Sequence, residues 1–331
     1  MAGHVTLTRI WRIVKEVDLQ AIRREAGRRV HVLIVGENTA DADELALRLA
    51  DGEDDPTRWL TAVDASLAAR AIARRAGVSA DDRSYRPDIV IAILRGRDES
   101  PEMRATRRHW AGRKAHLVTV SVAGDRMAGD LQTRGGSALV AIDRIDDEGF
   151  QSVIDALFAV VEADRRVGLA RQVPSLRPRV FTSLIEETAR ANAGYALSTG
   201  LAEIVPILDM PLVIGDMVVL SKNQLMMCYR IALAAGRTGQ PRELIGEILG
   251  VLGGGLIFRQ IARQLVGMLP VIGIVPKVAV AYGGTWAVGQ AVALWATEGR
   301  ILASPGLRRI SREGFARGRE VAAHFRRGID L

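Results

Sequence analysis

Leu7, Ile10, Trp11, Val14, Val17, Ala21 and Ile22 recur at spacings of three and four, with Arg9, Arg12, Lys15, Glu16 and Arg23 between them. That period predicts an amphipathic helix that must bury its stripe. Residues 30–35 are then a continuous apolar run, mostly β-branched, ending at Gly36, the pattern of a strand buried on both faces. Alternation follows: helix over 42–50, strand over 59–63, helix over 65–76, strand over 88–94, helix over 101–112, strands over 115–122 and 138–142, and a closing helix over 146–164. Strands that alternate with helices of this length imply right-handed crossovers, and so a doubly wound parallel sheet with helices on both faces.

The pattern changes at 165–179, where Arg165, Arg166, Arg171, Arg177 and Arg179 accompany Pro174 and Pro178. This segment reads as an interdomain linker. Beyond it the chain predicts helices only. Residues 181–201 form one, and 206–216 is an irregular apolar piece interrupted by Pro206, Pro211 and Gly215. Ser221 with Gln224 forms a capping box opening a helix over 222–235, with Gly236 as its stop. Pro241 opens the next helix.

Two rows of small residues stand out in this half. Gly246, Gly250 and Gly254 form the first; Ala279, Gly283, Ala287 and Ala291 form the second. Residues four apart share a helical face, so each row is a groove in which another helix can lie backbone to backbone. Pro270, Gly273 and Pro276 lie between the rows, which predicts a helical hairpin turning near 269–276. Between 264 and 297 the only formal charge is Lys277, and the twenty residues 278–297 carry none, about the length of a bilayer crossing. Arginines 259 and 263 precede this stretch and 300, 308 and 309 follow it, so both ends would stay on an anionic, cytoplasmic side. The alternative is a central helix, apolar all round because other helices surround it. The chain then divides as 1–164, an N-terminal helix with an α/β domain; 165–179, a linker; 180–299, an apolar helical domain; and 300–331, a basic tail.

Composition sharpens this picture in three places. At 331 residues with 48% apolar content the chain can bury two cores. Its net charge of +7 comes almost wholly from arginine, which fits an anionic partner such as a membrane surface. Nucleic acid is disfavoured, because no aromatic residues are interleaved with the arginines and no base-reading motif is present. Cys228 is the single cysteine, set in Leu225-Met226-Met227-Cys228-Tyr229; it reads as a buried hydrophobe in a reducing compartment. The opening residues lack a charged head followed by an apolar run, so no secretion signal is expected.

Gly36, between a strand and a helix, is where a doubly wound fold would cradle phosphate. A Walker-type loop starting there needs Gly, Lys and Ser or Thr at 41–43, and the chain has Asp41, Ala42 and Asp43. Lysine holds the β- and γ-phosphates and the hydroxyl holds magnesium, whereas two carboxylates repel both phosphates. A guanine reader after the third long strand keeps only its aspartate, Asp125, in Val122-Ala123-Gly124-Asp125. The dinucleotide fingerprint fails too, since 37–41 lacks its second and third glycines. His4, His31, His109, His116 and His324 show no metal-ligand spacing, and Ser137 in Gly135-Gly136-Ser137-Ala138-Leu139 lacks the trailing glycine of a nucleophile elbow. No catalytic residue, metal or cofactor is therefore expected, and Gly36, Asp41, Asp43 and Asp125 are read as a vestigial loop.

Several separated motifs in the helical half carry a resemblance: Ser221-x-x-Gln224; Met227-Cys228-Tyr229-Arg230-Ile231-Ala232; Arg259-x-x-Ala262-Arg263-Gln264-Leu265 with Leu269-Pro270-x-x-Gly273; and Ala279-x-Ala281-x-x-Gly284-Thr285-x-Ala287-x-Gly289. Together, over residues 181–299, they resemble the uncharacterised helical domain of YcjF-type inner-membrane proteins. In other members a similar domain follows an Era-like GTPase. The resemblance implies a degenerate P-loop GTPase-like N-terminal half and membrane association, and it carries over no catalytic residue. The resulting expectation is a non-catalytic pseudo-GTPase-like scaffold or interaction protein, cytoplasmic, peripheral to or partly inserted in the inner membrane. A protein partner or self-association stays open; the alternative is a divergent GTP or ATP hydrolase.

Overall fold

The computed structural model describes residues 18–51, 56–75, 87–95, 99–111, 113, 115–122, 131–202, 211–253, 274–301 and 304–329. The chain divides into two compact units, Glu25–Val180 on the one hand and Phe181–Leu331 with the described residues ahead of Glu25 on the other. Of the expected N-terminal helix, residues 7–17 lie outside the described residues, and the helix α1 spans Leu19–Ala26.

The first unit follows the alternation. It runs β1 (Val32–Gly36), α2 (Thr39–Leu49), β2 (Leu60–Asp64), α3 (Ala65–Arg75), β3 (Ile89–Arg95), α4 (Pro101–Ala111), β4 (His116–Val122), β5 (Gln132–Arg134), β6 (Ser137–Ile142), α5 (Asp147–Val160) and α6 (Ala163–Gln172). The six strands lie in the order β2-β1-β3-β4-β6-β5, all parallel except the β5–β6 pair. The parallel part thus has the 2-1-3-4-5 order of flavodoxin-type doubly wound sheets, whose direction of winding reverses between β1 and β3. All five residues of β1 are buried. Leu33, Val35, Val90, Ala92 and Leu117 pack on one face with Ala68 of α3 and with Met103 and Trp110 of α4. On the other, α2 packs on β1 and β2, and α5 packs on β4 and β6, as right-handed crossovers require.

Strand β5 is an addition to the expected set. A two-residue turn at Gly135 and Gly136, with φ of 54° and 79°, joins it to β6, and two successive positive φ values are what a type I′ hairpin demands. The Gly-Gly pair is thus a turn signal rather than the approach to a nucleophile.

Two carboxylates fix helix starts in this unit. Asp64 accepts from the Ser66 hydroxyl at 2.6 Å and from the Leu67 N–H at 2.8 Å, opening α3; Asp146 accepts from the Gly149 N–H at 3.0 Å, opening α5. The Ser66 hydrogen bond at Asp64 and the Gly149 N–H at Asp146 hold both carboxyls below the usual carboxylate range. A folded-state pKa lowered in this way stabilises the fold above the ordinary carboxylate value of about 4, and the benefit is lost as pH falls through the folded value. Asp64→Asn with Asp146→Asn keeps both caps and removes the titration. The double variant is therefore expected to lose less urea resistance than the parent between pH 5 and pH 3, and an equal loss in both would refute the assignment.

Residues 165–179 are no linker. They continue through α6 and a short 3-10 turn at Pro174–Leu176 into helix α7, Arg177–Ala202, because Val167, Leu169, Ala170, Val173 and Leu176 are apolar at positions that bury. The Gln172 side chain pairs with both backbone groups of Val30, accepting from its N–H at 2.8 Å and donating to its carbonyl at 3.3 Å. Three of the segment's arginines have partners as well. Arg165 bridges to Asp88 at 2.9 Å, Arg179 to Asp155 at 2.9 Å, and Arg166 lies 4.1 Å over the Phe158 ring.

The second unit continues with α8 (Pro211–Ala234), α9 (Pro241–Gly253), α10 (Ile274–Glu298) and α11 (Ser304–Ile329). Helix α8 runs unbroken through 221–224, so Ser221 opens no helix there; Pro211 stands at the helix start instead, where its missing N–H costs nothing. The stop at Gly236 is as expected, with φ of 89° and paired bonds from Gly236 N–H to Leu233 and from Arg237 N–H to Ala232. Arg237 then caps the far end of α10, donating to the Trp295 and Ala296 carbonyls at 2.7 and 3.0 Å.

The uncharged stretch 278–297 is the centre of this unit. Val278, Ala279, Tyr282, Trp286, Val288, Val292 and Trp295 of α10 are all buried, with α8, α9 and α11 packed around the helix. Among the described residues no helix is long and apolar enough to cross a membrane, which corrects the bilayer-crossing reading of 278–297. The predicted hairpin turn falls partly outside the described residues, at 269–273, while Pro276 sits in the first turn of α10.

Candidate functional site

The crevice at the carboxyl ends of β1 and β3, where the winding reverses, is the position at which a doubly wound sheet binds its ligand. Only Glu37 and Asn38 separate β1 from α2. A Cβ on Gly36 would run into the Asn38 carbonyl oxygen, so glycine is required for the chain to fold over so tightly. Asn38 caps α2, its Oδ1 accepting from the Asp41 N–H at 3.0 Å and its Nδ2 donating to Asp41 Oδ2 at 3.2 Å. Glu37 accepts from the Ser100 N–H at 3.1 Å, tying this loop to the segment after β3.

What occupies the anion position at the α2 N-terminus is a side chain of the protein. Asp41 is 3% exposed, and both its oxygens receive the guanidinium of Arg95, the last residue of β3, at 2.6 Å each. The Arg95 pKa is raised by that hydrogen bond first and by the Asp41 charge second. A phosphate that drew Arg95 away would leave the buried Asp41 carboxylate held by Asn38 alone, and, because the Arg95 side chain is 56% exposed, the cost stays below the roughly 3–5 kcal/mol of breaking a fully buried pair. Among the described residues this unit holds no lysine to offset it. Asp43 points the other way: it is exposed on α2 and takes no part in the crevice, so one carboxylate, not two, blocks it. Asp125 lies outside the described residues.

Among the described residues the remaining titratable groups do not assemble into machinery. His109 is pushed down by burial and by the neighbouring Arg113 charge and stands edge-on to Trp110. Cys228 is buried and its thiol is pushed up to about 12, which makes it inert at neutral pH. Among the described residues no three His, Cys, Asp or Glu side chains converge as a metal would require.

In the helical unit the two small-residue rows have different fates. Gly246 and Gly250 are exposed, and a Cβ on either meets nothing within 4 Å; this row packs on no described residue, which corrects its reading as a helix-packing groove. Gly254 lies outside the described residues. The second row is filled at Ala279 and Gly283 by α11. A Cβ on Gly283 would meet the Phe315 backbone N at 2.8 Å, one on Gly314 would meet the Gly283 carbonyl at 2.8 Å, and one on Gly318 would strike the Ala279 carbonyl. Ala279 against Gly318 and Gly283 against Gly314 mean two antiparallel helices touching backbone to backbone, with Ala287 and Ala291 buried further along the row. Residues 304–329 are thus part of the helical core and no appended tail. On another side of α10, a Cβ on Gly289 would meet Ile185 of α7 at 2.5 Å.

A polar cluster that the sequence reading did not find lies in the same core. Asn192 of α7 and Thr285 of α10 are both fully buried. Thr285 Oγ1 accepts from Asn192 Nδ2 at 2.9 Å and from Gln224 Nε2 at 3.1 Å, and donates to the Ala281 carbonyl at 2.8 Å. Asn192 Oδ1 accepts from Asn223 Nδ2 at 2.9 Å. The signal was there, as uncharged amides and a hydroxyl inside apolar helices; what they joined was not. Such a network ties three helices to one register, since any sliding would leave buried polar atoms unpaired.

No family model matches the chain, and no curated protein or solved structure does. The likeness of residues 181–299 to the YcjF-type helical domain rests on the motifs quoted for it.

Proposed function

We propose that this protein is a non-catalytic, pseudo-GTPase-like interaction protein: its α/β unit keeps a doubly wound frame without a nucleotide site, and its helical unit holds it to a membrane surface or a protein partner. The observation that carries the reading is the buried Asp41 carboxylate paired with Arg95 at the α2 N-terminus. The strand order alone assigns no ligand, because doubly wound sheets serve many chemistries. Membrane association draws its support from the arginine excess and from the motifs of 181–299.

Calorimetric titration of the purified chain with GTP and with ATP, each with magnesium, tests the first half. No heat of binding at micromolar nucleotide and no phosphate release are expected, and the same null result is expected after Glu37→Gln. Magnesium-dependent binding in the micromolar range, or steady hydrolysis, would establish the divergent hydrolase instead.

A further inference from the structure

Many described arginines outside α11 are paired with a carboxylate. Arg28, Arg48, Arg95, Arg107, Arg144, Arg165, Arg179, Arg190 and Arg300 each lie within 4.0 Å of a carboxylate. Helix α11 instead gathers four that are not. Arg308, Arg309, Arg312 and Arg319 are exposed, and none has a carboxylate within salt-bridge distance among the described residues. Arg312 Nε reaches only the Arg308 carbonyl, at 3.4 Å, and Arg319 lies 5.7 Å over the Phe315 ring.

Their spacing of one, three and seven residues puts all four on one side of the helix, opposite the side that buries Leu307, Ile310, Gly314, Gly318 and Ala322. Ala316 and Ala323 complete the outer side, so guanidinium groups are what protrude from it. The row extends over roughly 16 Å, eleven residues at 1.5 Å each. Its backing is rigid, because Gly314 and Gly318 lock α11 onto α10. Glu313 and Glu320 stand at one flank of the row and leave it net positive.

We infer that the outer face of α11 docks on the anionic headgroups of a phospholipid surface. This deepens the membrane part of the function proposed above and rests on it. A straight row of cations on a flat, small-residue face matches a plane of mobile phosphates. A nucleic-acid groove would ask for amide or free aromatic side chains among the arginines to read or stack on bases; this face has no amide, and its one aromatic, Phe315, is half-buried beneath Arg319. Contact is electrostatic and reversible: each arginine near an anionic surface is worth about a fivefold change in affinity, so the four together amount to several hundredfold.

The experiment is flotation of the full chain with vesicles of phosphatidylcholine, alone or with one third phosphatidylglycerol. The expected result is co-flotation with the anionic vesicles only, reversed by molar salt. The quadruple variant Arg308→Gln, Arg309→Gln, Arg312→Gln and Arg319→Gln should bind at least a hundredfold more weakly with unchanged helix content, and the corresponding four Arg→Lys changes should restore binding. Binding of the glutamine variant equal to the parent's overturns the α11 assignment while leaving membrane association standing; no binding of the parent overturns both. Tighter, salt-sensitive binding of the parent to duplex DNA or RNA than to the anionic vesicles also overturns the lipid assignment. None of these outcomes bears on the nucleotide titration.

Discussion

Gly318→Leu is expected to unfold the helical unit under conditions in which Gly246→Ala makes it more stable. At 318 the first added carbon already strikes the Ala279 carbonyl, and the obstacle is backbone, which cannot swing aside as a flexible side chain can. The two helices would have to separate along the whole Ala279–Gly318 and Gly283–Gly314 contact. Overpacking costs about 1–3 kcal/mol in an ordinary core and more where backbone is the obstacle, a large share of a typical total of roughly 5–15 kcal/mol. At 246 the helix is exposed and the space is open, so alanine recovers the conformational entropy that glycine forfeits, up to about 1 kcal/mol. Cys228 supplies the measurement. It is the only cysteine, it is buried in α8, and its raised thiol pKa silences it while the unit stays closed. Thiol labelling in increasing urea thus reports on the helical unit by itself. Unchanged labelling midpoints for Gly318→Leu would mean that the α10–α11 contact is not as close as described.

Asn192→Ala is expected to cost the same unit about 2–4 kcal/mol, the sum of two lost hydrogen bonds, an amide of Asn223 left without its acceptor, and a small cavity. The sharper expectation concerns coupling. Thr285→Val removes the other end of the Asn192–Thr285 bond, so the two changes together should cost less than their sum by more than about 0.5 kcal/mol, as residues in one network do. Additive costs by the same labelling assay would show that these residues contribute separately and do not act as a network.

The contrast between the glycine rows shows where sequence reading loses its hold. Both rows have the i, i+4 spacing that makes a groove, and spacing is local. Which groove is filled depends on the element that arrives opposite it, and the element that arrives is α11. Its own pair, Gly314 and Gly318, sits among arginines, so charge masked the period. In the same way 165–179 looks like a linker by its arginine and proline content, while the apolar residues among them dock and the guanidinium groups find Asp88, Asp155 and Phe158. At the crevice, it was legible that Asp41 stands where a Walker-type loop would need glycine. Its partner was not, because Arg95 is 54 residues away and only the parallel pairing of β1 with β3 makes them neighbours.

By itself the sequence determined the doubly wound α/β half, the helical second half, and the mismatch of 36–43 with a Walker-type loop. Each of these follows from hydrophobic period, strand-to-helix alternation or a side chain's own charge, all of which act over a few residues. Tertiary structure alone decided that 278–297 is a surrounded core helix, that Gly283 and not Gly246 is the point of closest packing, and that Asp41 is neutralised by Arg95. Those outcomes depend on contacts between residues remote in the chain, whose free energies are set by which surfaces meet when the whole fold excludes water.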